Sequence, residues 1–446
     1  MLLIIMKTRI IAMLLLGMTL IMSACTPQDE NNLLRPPKLN GEQSVIQKAL
    51  DDKFGNAVTL KYPKSGENRT AFIECELDGD GINEIIAFHK DKAAGSTTQF
   101  SVLKKDGAQW VWMCDSTEAM ADDISRIDIN TVMFGDLDGD GKNEIITGWS
   151  QSTSLNNTVT CFSFIDGCIV QRFSEQYTEM LVADLDNDSK NDKELFTVLL
   201  NSSESTSVAT LYKLKDNMPE ILGQTALDGK VTAYSQIIIS QLNPDTSCVY
   251  LDGVKGANDV ITEVVYYHGY KLNNPFYVEA ESLTKSTFRS NGSHTRDINK
   301  DGSPEIPFPT ELPGYEDKSA TEKMWITSWY SYDGEKSNIV LNCVMSNVDG
   351  YFYQFPDEWL GKVTAESNRV TRTITFKINP AFSASDSPEL LTITTILKSN
   401  WDETTRKNYD YVLANRDFYY AAKIINRSDA LSPDTDSVAD RLLTLD

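Results

Sequence analysis

The sequence predicts a mainly β fold assembled from repeated units, and three observations support this prediction. From about residue 57 onward, short apolar or alternating runs such as 84–89 and 158–165 have the length and pattern of β-strands. Asp-Gly pairs at 106–107 and 166–167 mark turns between such runs. The third observation is an acidic nine-residue pattern that recurs through the same part of the chain.

The acidic pattern reads D-x-D-x-D-G-x-x-E. It occurs four times, and the copies are here named loops 1 to 4: residues 76–84, 136–144, 184–192 and 297–305. A decayed copy at 241–246 divides the long interval before loop 4, so the copies stand 48 to 60 residues apart. Repeats of this size are typical of propellers, with four strands to each blade. We therefore predict a β-propeller of at least five four-stranded blades over residues 43–348.

Each loop combines the oxygen ligands that a hard cation such as Ca²⁺ prefers. Side chains at positions 1, 3, 5 and 9 and the backbone carbonyl at position 7 can converge on one ion, and glycine at position 6 permits the sharp turn. We predict three or four structural calcium ions. The candidate ligands are Glu76, Asp78, Asp80, Ile82 and Glu84; Asp136, Asp138, Asp140, Lys142 and Glu144; Asp184, Asp186, Asp188, Lys190 and Asp192; and Asp297, Asn299, Asp301, Ser303 and Glu305.

Two alternatives compete with calcium binding. An EF-hand needs a glutamate at position 12 of its loop, and none of the four loops has one. That position is occupied by Ala87, Thr147, Leu195 and Phe308. The other alternative, a polar hairpin that binds nothing, stays open, most of all in loop 3, where Ser189 replaces the turn glycine. The decayed copy has too few carboxylates, so no ion is predicted there.

The stretch 134–144, Phe-Gly-Asp-Leu-Asp-Gly-Asp-Gly-Lys-Asn-Glu, resembles the FG-GAP or VCBS-type repeat. That family includes the propellers of integrin α-chains and many exported bacterial proteins. The resemblance covers about residues 57–345, and it implies a calcium loop in a β-hairpin of each blade. Integrin propellers have seven blades, so the resemblance implies a β-propeller of five to seven four-stranded blades. The Gly-Ala-Pro tripeptide of the family is absent here.

The N-terminus has the pattern of a bacterial export signal. Lys7 and Arg9 form a short basic region, and an apolar stretch follows over residues 10–22. The sequence Met-Ser-Ala-Cys that ends at Cys25 resembles a lipobox, which implies that residues 1–24 are a lipoprotein signal peptide and that Cys25 carries lipid. A transmembrane anchor and an ordinary signal peptide stay open as alternatives.

A tether and a helix are predicted next. Residues 25–42 are polar and contain proline, which is typical of a flexible tether. Apolar residues then recur at helical spacing and predict a short amphipathic helix. They are Val45, Ile46, Ala49, Leu50 and Phe54.

Residues 349–446 lack the acidic pattern and predict a separate small α+β domain. Strand-like runs occur at 370–378, 390–397 and 409–425. The sequence Ser-Pro-Asp at 432–434 predicts a helix start, with a cap, proline at the first position and an acid in the first turn. One face of that helix is predicted to carry Val438, Leu442 and Leu445.

Composition limits the classes of partner and of chemistry. The 446 residues include 41 basic and 64 acidic ones, for a net charge of −23, which argues against nucleic acid or an anionic membrane surface as a partner. Seven cysteines show no zinc-binding spacing, so we predict mostly buried thiols, with one or two disulfides left open. Only three histidines are present, and no metalloprotease, serine hydrolase or P-loop motif occurs.

These features together predict a binding protein. We expect a lipoprotein on the extracytoplasmic side of the cell membrane, which it contacts only through the Cys25 lipid, with a propeller that binds a protein or a glycan. Aromatic runs at 266–270 and 325–332 fit either a glycan-binding patch or packed strands. The alternative function is a lyase or hydrolase acting on polysaccharide, and a third is a structural part of an envelope complex.

Overall fold

The computed structural model describes residues 41–55, 58–91, 97–119, 126–151, 156–188, 190, 192–201, 206–319, 322–382 and 387–445. This part of the chain is mainly β, as predicted, with several antiparallel sheets and few helices. Six of the sheets seen in these ranges have four or five strands, and a seventh is a two-stranded ribbon.

The predicted N-terminal helix is confirmed as α1, Gly41–Phe54. Ile46 and Leu50 are its buried residues, and they pack against the first sheet, whereas Val45 is exposed. Because the helix begins at Gly41, residues 41 and 42 belong to it and not to the predicted tether. The signal peptide, Cys25 and the rest of the tether lie outside the described residues.

The first three sheets each consist of strands that follow one another along the chain. In the first sheet, β1 and β2 both pair with β3 and form one edge. That sheet contains β1 (Val58–Leu60), β2 (Phe72–Cys75), β3 (Glu84–Asp91), β4 (Thr98–Asp106) and β5 (Gln109–Asp115). The second contains β6 (Arg126–Gly135), β7 (Glu144–Gln151), β8 (Asn157–Ile165) and β9 (Cys168–Tyr177). The third contains β10 (Glu179–Ala183), β11 (Glu194–Asn201), β12 (Thr206–Lys215) and β13 (Met218–Leu227).

The remaining sheets repeat this arrangement with more variation. The fourth contains β14 (Ala233–Asn243), β15 (Thr246–Val254), β16 (Val260–Tyr267) and β17 (Leu272–Asn273), and the ribbon is β18 (Tyr277–Val278) with β19 (Leu283–Thr284). The fifth contains β20 (Ile306–Glu311), β21 (Trp325–Tyr332), β22 (Ser337–Ser346), β23 (Tyr351–Gln354) and the C-terminal β29 (Leu442–Thr444). The sixth contains β24 (Val363–Asn368), β25 (Thr373–Ile378), β26 (Glu389–Leu397), β27 (Tyr411–Ala414) and β28 (Phe418–Ile424).

Short helices connect some strands. They are α2 (Ser116–Ala119), α3 (Glu403–Arg406) and α4 (Thr435–Arg441), with 3₁₀ turns at Glu279–Glu281, Asp357–Trp359, Pro380–Phe382 and Lys398–Asn400. None of the helices in the described ranges is long and apolar enough to cross a membrane.

Each sheet shares a buried core with the next one along the chain. Phe100 of the first sheet packs on Trp149 of the second, with ring centroids 6.5 Å apart. Phe173 of the second sheet stacks on Tyr212 of the third at 5.5 Å. Further shared clusters join the third sheet to the fourth, the fourth to the fifth and the fifth to the sixth. In the described ranges no buried cluster joins the sixth sheet to the first, so closure into a ring stays a prediction.

The C-terminal segment returns to the fifth sheet. β29 pairs with β23, which itself pairs with β22, so the predicted boundary after residue 348 falls in the turn of a hydrogen-bonded hairpin. The predicted helix is present as α4, but its cap is Asp434, whose carboxylate accepts a hydrogen bond from the Ser437 amide. The prediction that Leu442 and Leu445 continue this helix is wrong, because the chain becomes β29 at Leu442.

The six cysteines beyond Cys25 are free thiols, and no disulfide joins them. Four of the six are buried, as predicted, namely Cys114, Cys161, Cys248 and Cys343.

Candidate metal centres

The acidic loops occupy equivalent places in four sheets. Loops 1, 2 and 3 each connect two adjacent antiparallel strands, β2 and β3, β6 and β7, and β10 and β11. Loop 4 leads into β20, and an antiparallel bridge between Arg296 and Glu305 closes it. Each loop is therefore closed at its base by antiparallel pairing.

Successive loops lie side by side. Asn143 at the end of loop 2 donates a hydrogen bond to the carbonyl oxygen of Glu76 in loop 1, at 3.1 Å. Ser247 of the fourth sheet donates one to the side chain of Asn187 in loop 3, also at 3.1 Å. The Lys193 amide, just after loop 3, donates to the carbonyl oxygen of Asp136 in loop 2 at 2.7 Å. The three loops and the β14–β15 turn thus follow one another along one edge of successive sheets.

A buried glutamate ends every loop and holds its beginning. In each case the Oε2 atom accepts a hydrogen bond from the backbone amide of position 2. The four pairs are Glu84 with Leu77 at 2.9 Å, Glu144 with Leu137 at 2.8 Å, Glu194 with Leu185 at 2.7 Å, and Glu305 with Ile298 at 3.0 Å. The position-2 side chains are buried as well, so the loop is anchored on both sides of its acidic turn.

Loop 3 differs from the prediction at this glutamate. The sequence pattern selects Asp192 at position 9, but Glu194 makes the equivalent hydrogen bond because the loop is two residues longer. Asp192 contacts Lys213 instead, with 2.6 Å between Oδ2 and Nζ. Glu194 was not among the predicted ligands, although it is the first residue of β11, as Glu84 is of β3 and Glu144 is of β7.

Three loops bring carboxylate oxygens close enough together to hold a metal ion. One oxygen from each member of a trio lies within 4.8 Å of the others. The trios are Glu76, Asp78 and Glu84; Asp136, Asp138 and Glu144; and Asp184, Asp186 and Glu194. Several acidic clusters of this chain could therefore bind a metal ion.

Loop 4 has Asn299 in place of one acid but keeps the same turn. The Asp297 carboxylate accepts hydrogen bonds from the amides of Asp301 at 3.0 Å and Gly302 at 2.9 Å. The amide of Asp301 also donates to the Asn299 side-chain oxygen at 3.0 Å. Glu305 is fully buried, and its Oε1 atom has no hydrogen-bond partner.

The turn uses left-handed backbone at two positions. Position 6 is glycine in loops 1, 2 and 4, and each has positive φ: 80° at Gly81, 89° at Gly141 and 94° at Gly302. Position 4 is also left-handed in all four loops, at Gly79, Gly139, Asn187 and Lys300. The sequence prediction included only the first of these two requirements.

The predicted position-7 residues take part through their amides. The amides of Ile82, Lys142, Lys190 and Ser303 donate to the position-5 aspartate at 2.8 to 3.0 Å. These bonds fix the position-5 carboxylates of Asp80, Asp140, Asp188 and Asp301 within the turn. Metal ligation by the four carbonyl oxygens stays a prediction.

Burial makes the terminal glutamates hard to ionise. It raises the pKa of Glu144, Glu194 and Glu305 to about 7, and the aspartates of the same loops add to the shift. The pKa of Glu84 is raised for the same reason. A nearby cation favours the charged form of such a group. A positive charge placed in any of the loops would therefore stabilise the ionised glutamate.

Two lysines reach into loops 1 and 3 from the next strand of the sheet. Hydrogen bonds with Asp78 and Asp80 raise the pKa of Lys104 above its usual range. Burial acts to lower the pKa of Lys213, but hydrogen bonds with Asp192 and Asp186 outweigh it and the pKa rises. Sequence reasoning missed both lysines, since they lie about 20 residues beyond their loops.

The decayed copy has a different structure. Between Asn243 and Thr246 the chain makes a two-residue turn, and the Asn243 side chain accepts a hydrogen bond from the Asp245 amide at 3.0 Å. A nine-residue acidic loop is replaced here by a tight hairpin.

A groove of about 930 Å³ lies beside loops 2 and 3. Its lining includes Asp138, Asp186, Lys215 and two tyrosines, Tyr267 and Tyr270. Tyr270 is 92% exposed and stands with Gly269 in a left-handed turn before β17, with φ of 61° and 63°. By contrast, Trp329 and Tyr332 of the second aromatic run are buried in the core.

Comparisons with known proteins do not identify a family. No family model matches the sequence, and no curated protein is significantly similar to it. The rhamnogalacturonan lyase YesW is 12% identical, with 66% of this chain and 75% of that chain covered and a TM-score of 0.31. A rhamnogalacturonan lyase from Bacillus licheniformis is 12% identical, with 72% and 74% covered and a TM-score of 0.31. An exo-β-1,3-galactanase from Phanerochaete chrysosporium is 10% identical, with 76% and 80% covered and a TM-score of 0.27. Similarities of this size support no inference about activity.

Proposed function

We propose that the chain is an exported, lipid-anchored protein whose β-propeller is stabilised by calcium and binds a protein or glycan at the cell surface. The observation that supports this best is one loop geometry repeated in four sheets. In each loop a buried glutamate accepts a hydrogen bond from the position-2 amide, and further acidic side chains lie in the same turn. The FG-GAP-like motif and the lipobox-like N-terminus agree with the same proposal.

The order of the sheets supports the propeller. A propeller consists of antiparallel sheets that follow one another in the chain, each packed on the next. The sheets of this chain pack in series, and loops 1 to 3 lie on one common edge. In a closed ring that edge becomes one face of the molecule, where all four loops would lie.

The residues of loops 2 and 4 fit a calcium ion. All their candidate ligands are oxygen atoms, which is what Ca²⁺ requires. In loop 4 the buried Oε1 atom of Glu305 lacks a hydrogen-bond partner, and the charges of Asp297 and Asp301 act on the same carboxyl group. A bound cation would offset this buried negative charge and link the two ends of the hairpin. Extracellular sites of this kind need dissociation constants of only about 10⁻⁴–10⁻³ M.

We place the ligand-binding face at the groove beside loops 2 and 3. Tyr270 is the strongest reason, because a bulky residue with positive φ is strained and such strain often marks a functional site. Its ring is exposed beside carboxylates and Lys215, so the groove offers an apolar face together with hydrogen-bonding groups. That combination suits a sugar ring or the polar surface of a protein.

Glycan and protein arrays probed with the wild-type chain in calcium test the proposal. We expect a bound ligand, and we expect Tyr270→Ala to weaken its binding by about tenfold or more, as loss of a central aromatic contact does. Tyr62→Ala is the matched control, because Tyr62 is 45% exposed and does not line the groove. Release of cleaved sugar would instead support the lyase or hydrolase alternative. If no ligand bound on either the glycan or the protein array, the proposed binding function would be contradicted.

A further inference from the structure

The residue opposite the terminal glutamate differs between loops in a regular way. In the first sheet Ile85 pairs with Leu103, so Glu84 faces Lys104. In the second sheet Ile145 pairs with Phe162, so Glu144 faces Ser163.

The third and fifth sheets repeat the same alternation. Leu195 pairs with Tyr212, which places Lys213 opposite Glu194. Ile306 pairs with Tyr330, which places Ser331 opposite Glu305. The residue opposite the terminal glutamate is therefore a lysine in loops 1 and 3 and a serine in loops 2 and 4.

These four positions are equivalent in structure as well as in register. Each follows directly on a β-bulge in the pairing of its own strand with the next strand along the chain. The bulges lie at Val102/Leu103, Cys161/Phe162, Leu211/Tyr212 and Trp329/Tyr330. A β-bulge changes the direction of the strand and of the side chains next to it. The four residues therefore occupy equivalent positions opposite the terminal glutamates.

In loop 1 the lysine ammonium lies among the carboxylates. Lys104 Nζ forms an ion pair with Asp78 and lies 2.8 Å from an Asp80 oxygen and 3.8 Å from Glu84 Oε1. Those three groups are also three of the four predicted side-chain ligands of the loop.

Loop 3 shows the same arrangement with more partners. Lys213 Nζ lies 2.6 Å from Asp192, 3.1 Å from Asp186, and 3.5 Å from both Asp188 and Glu194. The side chain of Lys213 is about one-tenth exposed. A divalent cation would need the same oxygens at 2.3–2.6 Å, so ion and ammonium cannot share the loop.

Among the described residues, no ammonium group lies between the carboxylates of loops 2 and 4 as it does in loops 1 and 3. In loop 2 the Ser163 hydroxyl donates to Glu144 Oε1 at 2.9 Å, which adds a hydrogen bond but no charge. Arg172 donates a hydrogen bond to the serine, with 2.8 Å from Nε to Oγ, and its charge acts to lower the pKa of Asp138, but none of the ion pairs between described residues joins it to a carboxylate of the loop. Lys142 approaches Asp140 at 4.0 Å on the exposed side of the loop. The Oε1 atoms of Glu84, Glu194 and Glu305 all lack a hydrogen-bond partner. A lysine ammonium lies 3.8 Å from the first and 3.5 Å from the second, whereas none of the ion pairs between described residues involves Glu305.

We propose that the two kinds of loop are held by different cations: the Lys104 and Lys213 ammonium groups replace the metal in loops 1 and 3, and calcium occupies loops 2 and 4 alone. This inference rests on the proposed function for its calcium, and it corrects the expected three or four ions to two. Half of the repeats then stay closed without metal.

Calcium titration by calorimetry on metal-free protein, with equilibrium dialysis as a second count, tests the assignment. We expect two ions for the wild-type chain and four for Lys104→Ser plus Lys213→Ser, since the new serines recreate loops 2 and 4. The reverse exchange, Ser163→Lys plus Ser331→Lys, is expected to bind none. Lys105→Ser is the matched control, because this lysine follows Lys104 on the same strand and its ion pair is with the exposed Glu42. The control keeps two ions.

The outcomes separate this inference from the proposed function. Four ions on the wild-type chain, or no gain on removing the two lysines, would overturn the lysine assignment and leave calcium binding intact. No ion on the wild-type chain would overturn calcium binding itself and the assignment with it. Circular dichroism of every variant shows that a lost site is not an unfolded chain, and the gain of sites in the serine variant needs no such control.

Discussion

At the scale of single residues, the acidic character of the chain extends into its interior. Asp252 and Arg289 form an ion pair between β15 and the segment after β19, with 3.0 Å between Oδ1 and Nη2. Both side chains are almost fully buried. The carboxylate also accepts hydrogen bonds from the Thr262 hydroxyl at 2.6 Å and the Thr295 amide at 2.7 Å. This pair fastens the connection between the fourth and fifth sheets onto the fourth.

Removing the arginine tests that role. We expect Arg289→Met to lower the free energy of unfolding by about 3–5 kcal/mol, because it leaves a buried carboxylate without its cation. Urea denaturation followed by fluorescence measures the change. Arg427→Met is the control: Arg427 pairs with Asp410 but is itself 60% exposed, so the loss should be less than about 1 kcal/mol. Equal losses in the two variants would contradict the structural role of the buried pair.

At this scale the sequence predicted the loop residues better than their partners. The pattern selected all three carboxylates that lie close together in loop 1 and all three in loop 2, because the residues of one loop are set by local spacing. It failed at Glu194, where two extra residues shift the terminal glutamate relative to the pattern. It also could not show Lys104 and Lys213, because cross-strand partners depend on register, which is not a local property.

At the scale of elements, strands with one well-buried face were predictable. β8 alternates between hydroxyl residues such as Thr158 and Thr160 and apolar residues such as Val159 and Cys161, and it is buried along most of its length. β13 was missed, since most of its residues are exposed or half-buried and it therefore shows no alternation. The end of α4 was missed because Leu442 fits a helical face as well as it fits the start of a strand.

The last strand provides an element-scale prediction. Leu442 is fully buried and pairs with Tyr353, while its neighbour Leu443 is 39% exposed. We expect Leu442→Ala to cost about 2–5 kcal/mol through lost burial and an unfilled cavity. Leu443→Ala, on the other face of the same strand, should cost less than about 1 kcal/mol. If chemical denaturation gave the two variants the same stability, β29 would not anchor the C-terminus as described.

At the scale of the whole molecule, the sequence predicted a mainly β architecture of repeated units. The structure confirms a mainly β fold with several antiparallel sheets. The repeat length could be read from the acidic loops alone, because each loop marks the same joint between two strands. Closure into a ring, the division after residue 348 and the lipid anchor depend on long-range packing or on processing, which local patterns do not determine. They remain predictions, together with the extracytoplasmic location.

Thermal unfolding in calcium and in EDTA is the most direct test of the claim that cations hold the acidic hairpins. At a tenfold excess of calcium over its dissociation constant, each occupied site should stabilise the fold by about 1.4 kcal/mol. The account predicts a melting temperature a few degrees lower in EDTA, and a smaller difference for Asp138→Ala plus Asp140→Ala. The exposed pair Asp357→Ala plus Glu358→Ala should keep the full wild-type difference. One melting temperature for the wild-type chain in both solutions would contradict the account.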